Sequence, residues 1–159
     1  MAEKKNFVEW DNNYSIGIPL VDNQHKRLID VTNKLFMGCL RGDEEARRFF
    51  LKTIHEGVDY VKYHFTTEEK IMERINYPNL AVHRGQHQDF VRELVSEVQS
   101  FQGGKRFVPN MMVRYLRDWI LTHIAVSDKQ IGSYLLELKK QGRLYTFAIK
   151  GQNKDELAN

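Results

Sequence analysis

Five of the six histidines in this 159-residue chain occupy positions where a helix normally presents apolar side chains to its core. His25 lies three residues before Leu28, and His64 three after Val61. His83 and His87 are four apart, and His123 follows Trp119 by four. Two carboxylates join them, Glu68 four residues after His64 and Asp128 five after His123. A step of four places two side chains on one helix face, one turn apart. A single histidine on an apolar stripe is ordinarily a hydrogen-bonded core residue. Seven such groups are a different matter. Each buried polar group left unpaired costs ~1–3 kcal/mol, and an unpaired charge costs more. A metal accepts the imidazole lone pairs and neutralises the carboxylates, so the pattern H…H-x-x-x-E…H-x-x-x-H…H-x-x-x-x-D reads as a buried metal site. Seven donors exceed the octahedral limit of one first-row ion, which points to two ions with the carboxylates as bridges. Imidazole and carboxylate without thiolate suit iron and also allow zinc, manganese or copper.

Those residues need four long elements to position them. Pro19, Pro78 and Pro109 each stand just before a periodic segment, where a helix tolerates the missing N–H. Asp43 is the expected N-cap of the segment that lacks a proline, and Gly42, Gly103-Gly104 and Gly142 are expected at helix ends or loops. Apolar residues at 3.6-residue spacing predict helices from about Leu20 to Leu40, Glu44 to Ile75, Leu80 to Phe101 and Asn110 to Lys140. No segment alternates like a strand. Short links between long helices imply an all-α, up-down-up-down antiparallel four-helix bundle over residues 19–141. An irregular arm, residues 1–18, is expected to pack on it through Trp10 and Ile16-Gly17-Ile18, and residues 142–159 form a short C-terminal tail. One spacing is awkward. Five residues of regular helix leave His123 and Asp128 about 140° apart and ~7.5 Å along the axis. Either Asp128 reaches across as a bridge or the helix widens locally by a π-type turn, and a local irregularity is expected between Ile124 and Asp128.

Bulk composition excludes several classes. The net charge is +3, with Lys and Arg interleaved among Asp and Glu, so there is no basic tract for a nucleic acid. A single cysteine, Cys39, rules out an internal disulfide framework and favours a reducing, cytoplasmic compartment. The opening MAEKKNFVEW has no apolar core of a signal peptide, and no apolar run is long enough to insert in a membrane. Lys154-Asp155-Glu156-Leu157 is not terminal and is not read as a retention signal.

Four stretches carry a family resemblance: SIGIPLVDNQHKRLID around His25, YVKYHFTTEEKIM around His64 and Glu68, NYPNLAVHRGQH around His83 and His87, and THIAVSDKQIGSYL around His123 and Asp128. Together, in this order, they resemble the bacterial hemerythrin (bacteriohemerythrin) family from Trp10 to about Leu138. The resemblance implies a non-haem di-iron centre. His83, His87 and His123 would ligate one iron, and His25 and His64 the other. Glu68 and Asp128 would bridge the pair beside an oxo or hydroxo bridge, and dioxygen would bind at the open position of the two-histidine iron. It further implies reversible dioxygen binding for storage, delivery or sensing. The alternatives are a di-iron enzyme acting on peroxide, nitric oxide or oxygen, and a metal-switched signalling module. Two departures from compact members stand out, a longer segment between His25 and His64 and the tail after Gly142. The apolar LYTFAI of that tail is a candidate protein-partner surface.

Around this ligand set, Trp119, Leu28 and Ile124 are expected to wall an oxygen pocket. His55 lies nine residues before His64, half a turn out of phase, and is expected at the surface. Cys39 reads as a small packing residue. Glu69, about 100° around the helix from Glu68, reads as a solvated charge.

Overall fold

The structure is a computed structural model, and it describes residues 6–39, 44–103 and 109–143. A 3-10 turn, Asn12–Tyr14, precedes helices α1 (Pro19–Cys39), α2 (Glu44–Arg74), α3 (Leu80–Gln102) and α4 (Pro109–His123). A π-helical turn, Ile124–Asp128, then joins α4 to α5 (Lys129–Lys140). The α4–π–α5 rod is the fourth member of an antiparallel four-helix bundle, and no strand occurs among the described residues. α1 and α4 both begin on proline, the position that wastes no hydrogen bond. The expected N-cap Asp43, Gly42 and the segment 144–149 lie outside the described residues.

Two helix ends show how the chain turns. At the end of α2, Asn76 takes a left-handed φ of 50°. Its N–H reaches Glu73 O, and the N–H of Tyr77 reaches Met72 O at 2.9 Å. At the end of α5, Gly142 repeats the arrangement with φ 67° and bonds to Lys139 O, while Arg143 N–H reaches Leu138 O. Both are Schellman closures, in which a left-handed residue lets the next N–H groups satisfy the last carbonyls. The glycine was legible as a stop. The asparagine carries α2's stop without one.

The π-turn resolves the awkward spacing. Lys129 N–H donates to Ile124 O, five residues back rather than the α-helical four. One extra residue is thus absorbed in a single turn, and Asp128 comes round to the face that bears His123. Both are buried, Asp128 completely.

The core is two apolar clusters with a polar layer between them. One cluster gathers Leu28, Val61, Phe65, Phe90, Leu94 and Ile124, among others. The second gathers Ile16, Ile18, Val21, Ile71, Met72, Ile131 and Leu135, among others. Three of the four rods pass from one cluster to the other through a site residue: Val21–His25–Leu28 on α1, Phe65–Glu68–Ile71 on α2, and Ile124–Asp128–Ile131 on the fourth rod.

The N-terminal arm is tied down at several points. Phe7 stacks on Phe36 with ring centroids 4.1 Å apart, and the side chain of Asn33 bonds both the N–H and the C=O of Val8. Asp22 accepts from the Ser15 hydroxyl and from Ile16 N–H. Lys129 Nζ donates to the carbonyls of Asn13 and Ser15. Ile16 and Ile18 are buried, as expected, whereas Trp10 is half-buried with the Lys26 ammonium over its ring.

Candidate metal centre

All seven residues singled out from the sequence meet in one buried layer, each no more than 7% exposed. Their donor atoms form two groups in which every atom lies within 4.8 Å of the others, Glu68–His83–His87–His123–Asp128 and His25–His64–Glu68–Asp128. The two carboxylates belong to both groups, and their oxygens divide between them. Glu68 Oε1 lies 3.3 Å from His25 Nε2 and 3.4 Å from His64 Nε2, while its Oε2 lies 3.2 Å from His87 Nε2. Asp128 Oδ2 is 3.2 Å from His25 Nε2, while its Oδ1 is 3.2 Å from both His83 Nε2 and His123 Nε2. This is the disposition of bridging carboxylates.

The residues fit a metal by two independent signs. First, His123 Nε2 lies 3.0 Å from His87 Nε2 and 3.1 Å from His83 Nε2. Two nitrogens bound at right angles to one ion, each ~2.1 Å from it, stand ~3.0 Å apart. Hydrogen bonding among neutral rings cannot satisfy both contacts. A neutral His87 that gives its Nδ1–H to Glu69 presents a lone pair at Nε2, and one Nε2–H of His123 cannot serve both neighbours. Second, Glu68 Oε2, both oxygens of Asp128 and His25 Nδ1 are buried without a hydrogen-bond partner. Buried carboxylate oxygens in that condition cost several kcal/mol unless a cation meets them.

The electrostatics of the chain alone point the same way. Burial pushes His25 and His83 down, but contact with the Asp128 and Glu68 carboxylates prevails and raises each to about 9. Protons thus stand where cations would. Burial dominates at His64 and lowers it to about 4, so its imidazole stays neutral. Burial pushes Glu68 up, but the surrounding histidines outweigh it and hold the group well below the ordinary carboxylate range. Asp128 is likewise held below that range, with burial and Glu68 opposing and contacts to His123, His25 and His83 prevailing.

Aromatic rings pack the centre's edge. Phe65 stacks flat on His87 at 3.7 Å, and Trp119 stacks on His123 at 4.4 Å and on Phe90 at 3.8 Å. Leu28, Trp119 and Ile124 line one small cavity of about 10 Å³ together with His64, His123 and Asp128. That is room for about one water-sized molecule.

Of the remaining residues weighed from the sequence, His55 is exposed and meets Gln102. Cys39 is a free, half-buried thiol packed against the core, and burial raises it to about 11. Glu69 corrects its expectation. It is not a solvated charge: its side chain is 23% exposed, and its two oxygens meet His87 Nδ1 at 3.1 Å and Arg84 Nε at 2.8 Å. The 100° that separates it from Glu68 turns it toward α3 rather than toward water. Gln24 was not singled out from the sequence, yet its Oε1 accepts from His64 Nδ1–H at 2.9 Å. The available signal for Glu69 was Arg84, beside His83, with Glu73 four residues after Glu69.

A four-helix bundle whose facing helices turn histidines and carboxylates into one central layer belongs to the class of bundles built to hold metal in the core. Comparison with known proteins narrows that class. The Hemerythrin HHE cation binding domain matches residues 16–135, and the chain belongs to the hemerythrin family. It is 31% identical over 120 residues to the bacteriohemerythrin of Stenotrophomonas maltophilia (strain R551-3), covering 76% of each chain. It is 30% identical over 122 residues to that of Methylococcus capsulatus (strain ATCC 33009 / NCIMB 11132 / Bath), covering 77% of this chain and 91% of the relative. The crystal structure of a wild-type hemerythrin superposes with a TM-score of 0.76 at 29% identity, covering 81% of this chain and 98% of that one.

Proposed function

We propose that this protein binds dioxygen reversibly at a pair of iron ions. His83, His87 and His123 hold one ion, His25 and His64 the other, and Glu68 and Asp128 bridge them. The observation that carries this reading is the sharing of both carboxylates between two histidine groups, with one oxygen of each turned to either side. A pair of iron ions held by these residues would supply the two electrons that dioxygen binding needs.

The chain's own residues do the rest. His64 donates its Nδ1–H to Gln24 and so keeps the Nε2 lone pair aimed inward. The small cavity is lined by His64 of the two-histidine group and His123 of the other, and the two-histidine group, with fewer protein donors, is the one left with room for a further ligand. Leu28, Phe65, Trp119 and Ile124 give that cavity an apolar wall, which admits a small neutral molecule and slows water and protons. Five histidines against two carboxylates leave few anionic donors to stabilise high-valent iron, which favours binding over oxygen activation. A cavity of about 10 Å³ has no room for an organic substrate. It would take nitric oxide as readily as dioxygen, and an enzyme acting on nitric oxide is therefore the second reading. A metal-switched interaction through residues 144–149 lies outside the described residues. No helix among those described is long and apolar enough to cross a membrane, and a reducing, cytoplasmic setting is proposed from the lone thiol.

Gas cycling tests the reading. The reduced protein is exposed to air and then purged under argon while the visible spectrum is followed. Reversible appearance and loss of a ligand-to-iron charge-transfer band is expected. Irreversible bleaching with turnover of nitric oxide would favour the second reading.

A further inference from the structure

The two histidine groups differ in what stands behind them. In the three-histidine group, His87 donates its Nδ1–H to Glu69 Oε1 at 3.1 Å. The other oxygen of Glu69 accepts from Arg84 Nε at 2.8 Å, and the same guanidinium bonds Glu73. Glu69 is thus a carboxylate clamped between an imidazole and a cation. Phe65 lies flat on the His87 ring, with 3° between the planes. The stack resists tilting of the ring, and the Glu69 bond resists its rotation in plane.

The two-histidine group lacks any such charge. His64 donates to the neutral amide oxygen of Gln24. That amide is anchored through its nitrogen to Thr67 Oγ1, whose hydroxyl donates to Tyr63 O. This chain fixes a tautomer and adds no negative charge. His25 Nδ1 is buried without a hydrogen-bond partner.

We infer that Glu69 is a positioning residue that makes the three-histidine group the tighter of the two metal positions. The inference rests on the two-ion reading above. A carboxylate behind a ligating histidine orients the ring and raises the basicity of the nitrogen facing the metal. A charge-assisted bond does so more strongly than an amide. The structure therefore grades the donors, with a charged support on the side that has three histidines and a neutral one, or none, on the side that has two. One ion would be held firmly, and its partner would remain the weaker and more adaptable ligand-binding position.

Glu69 can be tested without burying a lone charge. It lines an open groove of about 340 Å³ with Lys62, Gln88 and Arg92 on the outer face of α2 and α3. The experiment uses the full chain, made metal-free and reloaded anaerobically with cobalt(II), whose visible bands report its ligands. Competing chelator then strips the metal from wild type, Glu69→Gln and Arg84→Gln. Wild type should release two ions in separate steps. Glu69→Gln should weaken the tighter step by about 10–100-fold and move the weaker step less than about threefold. Arg84→Gln should act in the same direction by less, and it serves as the second probe if Glu69→Gln folds poorly by far-ultraviolet circular dichroism. An unchanged tighter step in either folded variant, equal weakening of both steps, or a single step in wild type would overturn the role of Glu69. Fewer than two ions in wild type would instead overturn the two-ion reading itself.

Discussion

Gly132 sits one turn beyond Asp128 and faces the N-terminal arm, and replacing it with alanine should loosen that arm. A Cβ built there would lie 2.0 Å from Ile16 O and 2.9 Å from Ile16 C. An unstrained carbon–oxygen contact needs about 3.3 Å, so the two backbones must part by roughly 1.3 Å. The arm should yield rather than the helix, because α5 is held in the bundle while the arm rests on a few bonds. Ile16, 6% exposed, would lose much of its burial, of order 1.5–3 kcal/mol. The Ile16 N–H bond to the Asp22 carboxylate, 2.8 Å long, would be lost as well, at about 1.5–3 kcal/mol for a charged acceptor. Against this, alanine is about 1 kcal/mol better than glycine in a helix. The net expectation is a loss of about 2–5 kcal/mol and a Tm lower by roughly 4–20 °C for a chain of this size. Urea denaturation of the metal-loaded protein measures the loss, and limited proteolysis reports release of the arm. Two retained ions per chain would confirm that the arm moved and the centre did not. A Gly132→Ala protein as stable as wild type would refute the close approach on which the reasoning rests.

Further predictions concern the centre and the turns. Trp119→Ala removes the ring stacked on His123 and opens the cavity wall; stopped-flow spectroscopy should show faster autoxidation of the oxygenated protein, and an unchanged rate would deny the indole its shielding role. The metal-free protein should lose stability as pH rises from about 6.5 to 9. His25 and His83 are raised to about 9 in the folded chain, so their stabilisation is complete below the unfolded value of ~6.5 and disappears as pH passes the folded one. Metal affinity should climb over the same interval, because those protons must leave, and calorimetry at pH 7 in buffers of different ionisation enthalpy should detect their release. At Asn76, φ 50°, glycine should stabilise slightly and alanine should cost about 1–2 kcal/mol by urea denaturation; equal effects would argue against the left-handed closure.

Much of this centre was legible because metal donors violate the apolar rhythm of a core helix. His25, His64, His83, His87 and His123 could be picked out by interruption alone, and Glu68 by its step of four. The His123–Asp128 spacing even foretold a local irregularity, since a regular helix does not bring both to one face, and of the two ways to resolve it the chain uses the π-turn. The supporting residues were not legible in this way. Glu69 and Gln24 stand beside ligands on the same helices, and nothing in helical phase says whether a neighbouring helix or water receives them. Arg84 on α3 decides the matter for Glu69, and that is a fact of packing between helices. The arm's ties are equally non-local: Val8 depends on Asn33, and Gly132 must be glycine only because Ile16 lies against it.

The central claim is that seven side chains hold two ions and that Glu68 and Asp128 belong to both. Anomalous X-ray diffraction at the iron edge, on crystals of the iron-loaded protein, tests it most directly. Two anomalous peaks should appear in the buried layer, on the order of 3.5–4 Å apart, as in other two-metal sites. One should sit among His83, His87 and His123 and the other beside His25 and His64, with an oxygen of Glu68 and of Asp128 on each. A single peak, or two peaks that do not share those carboxylates, would contradict the account.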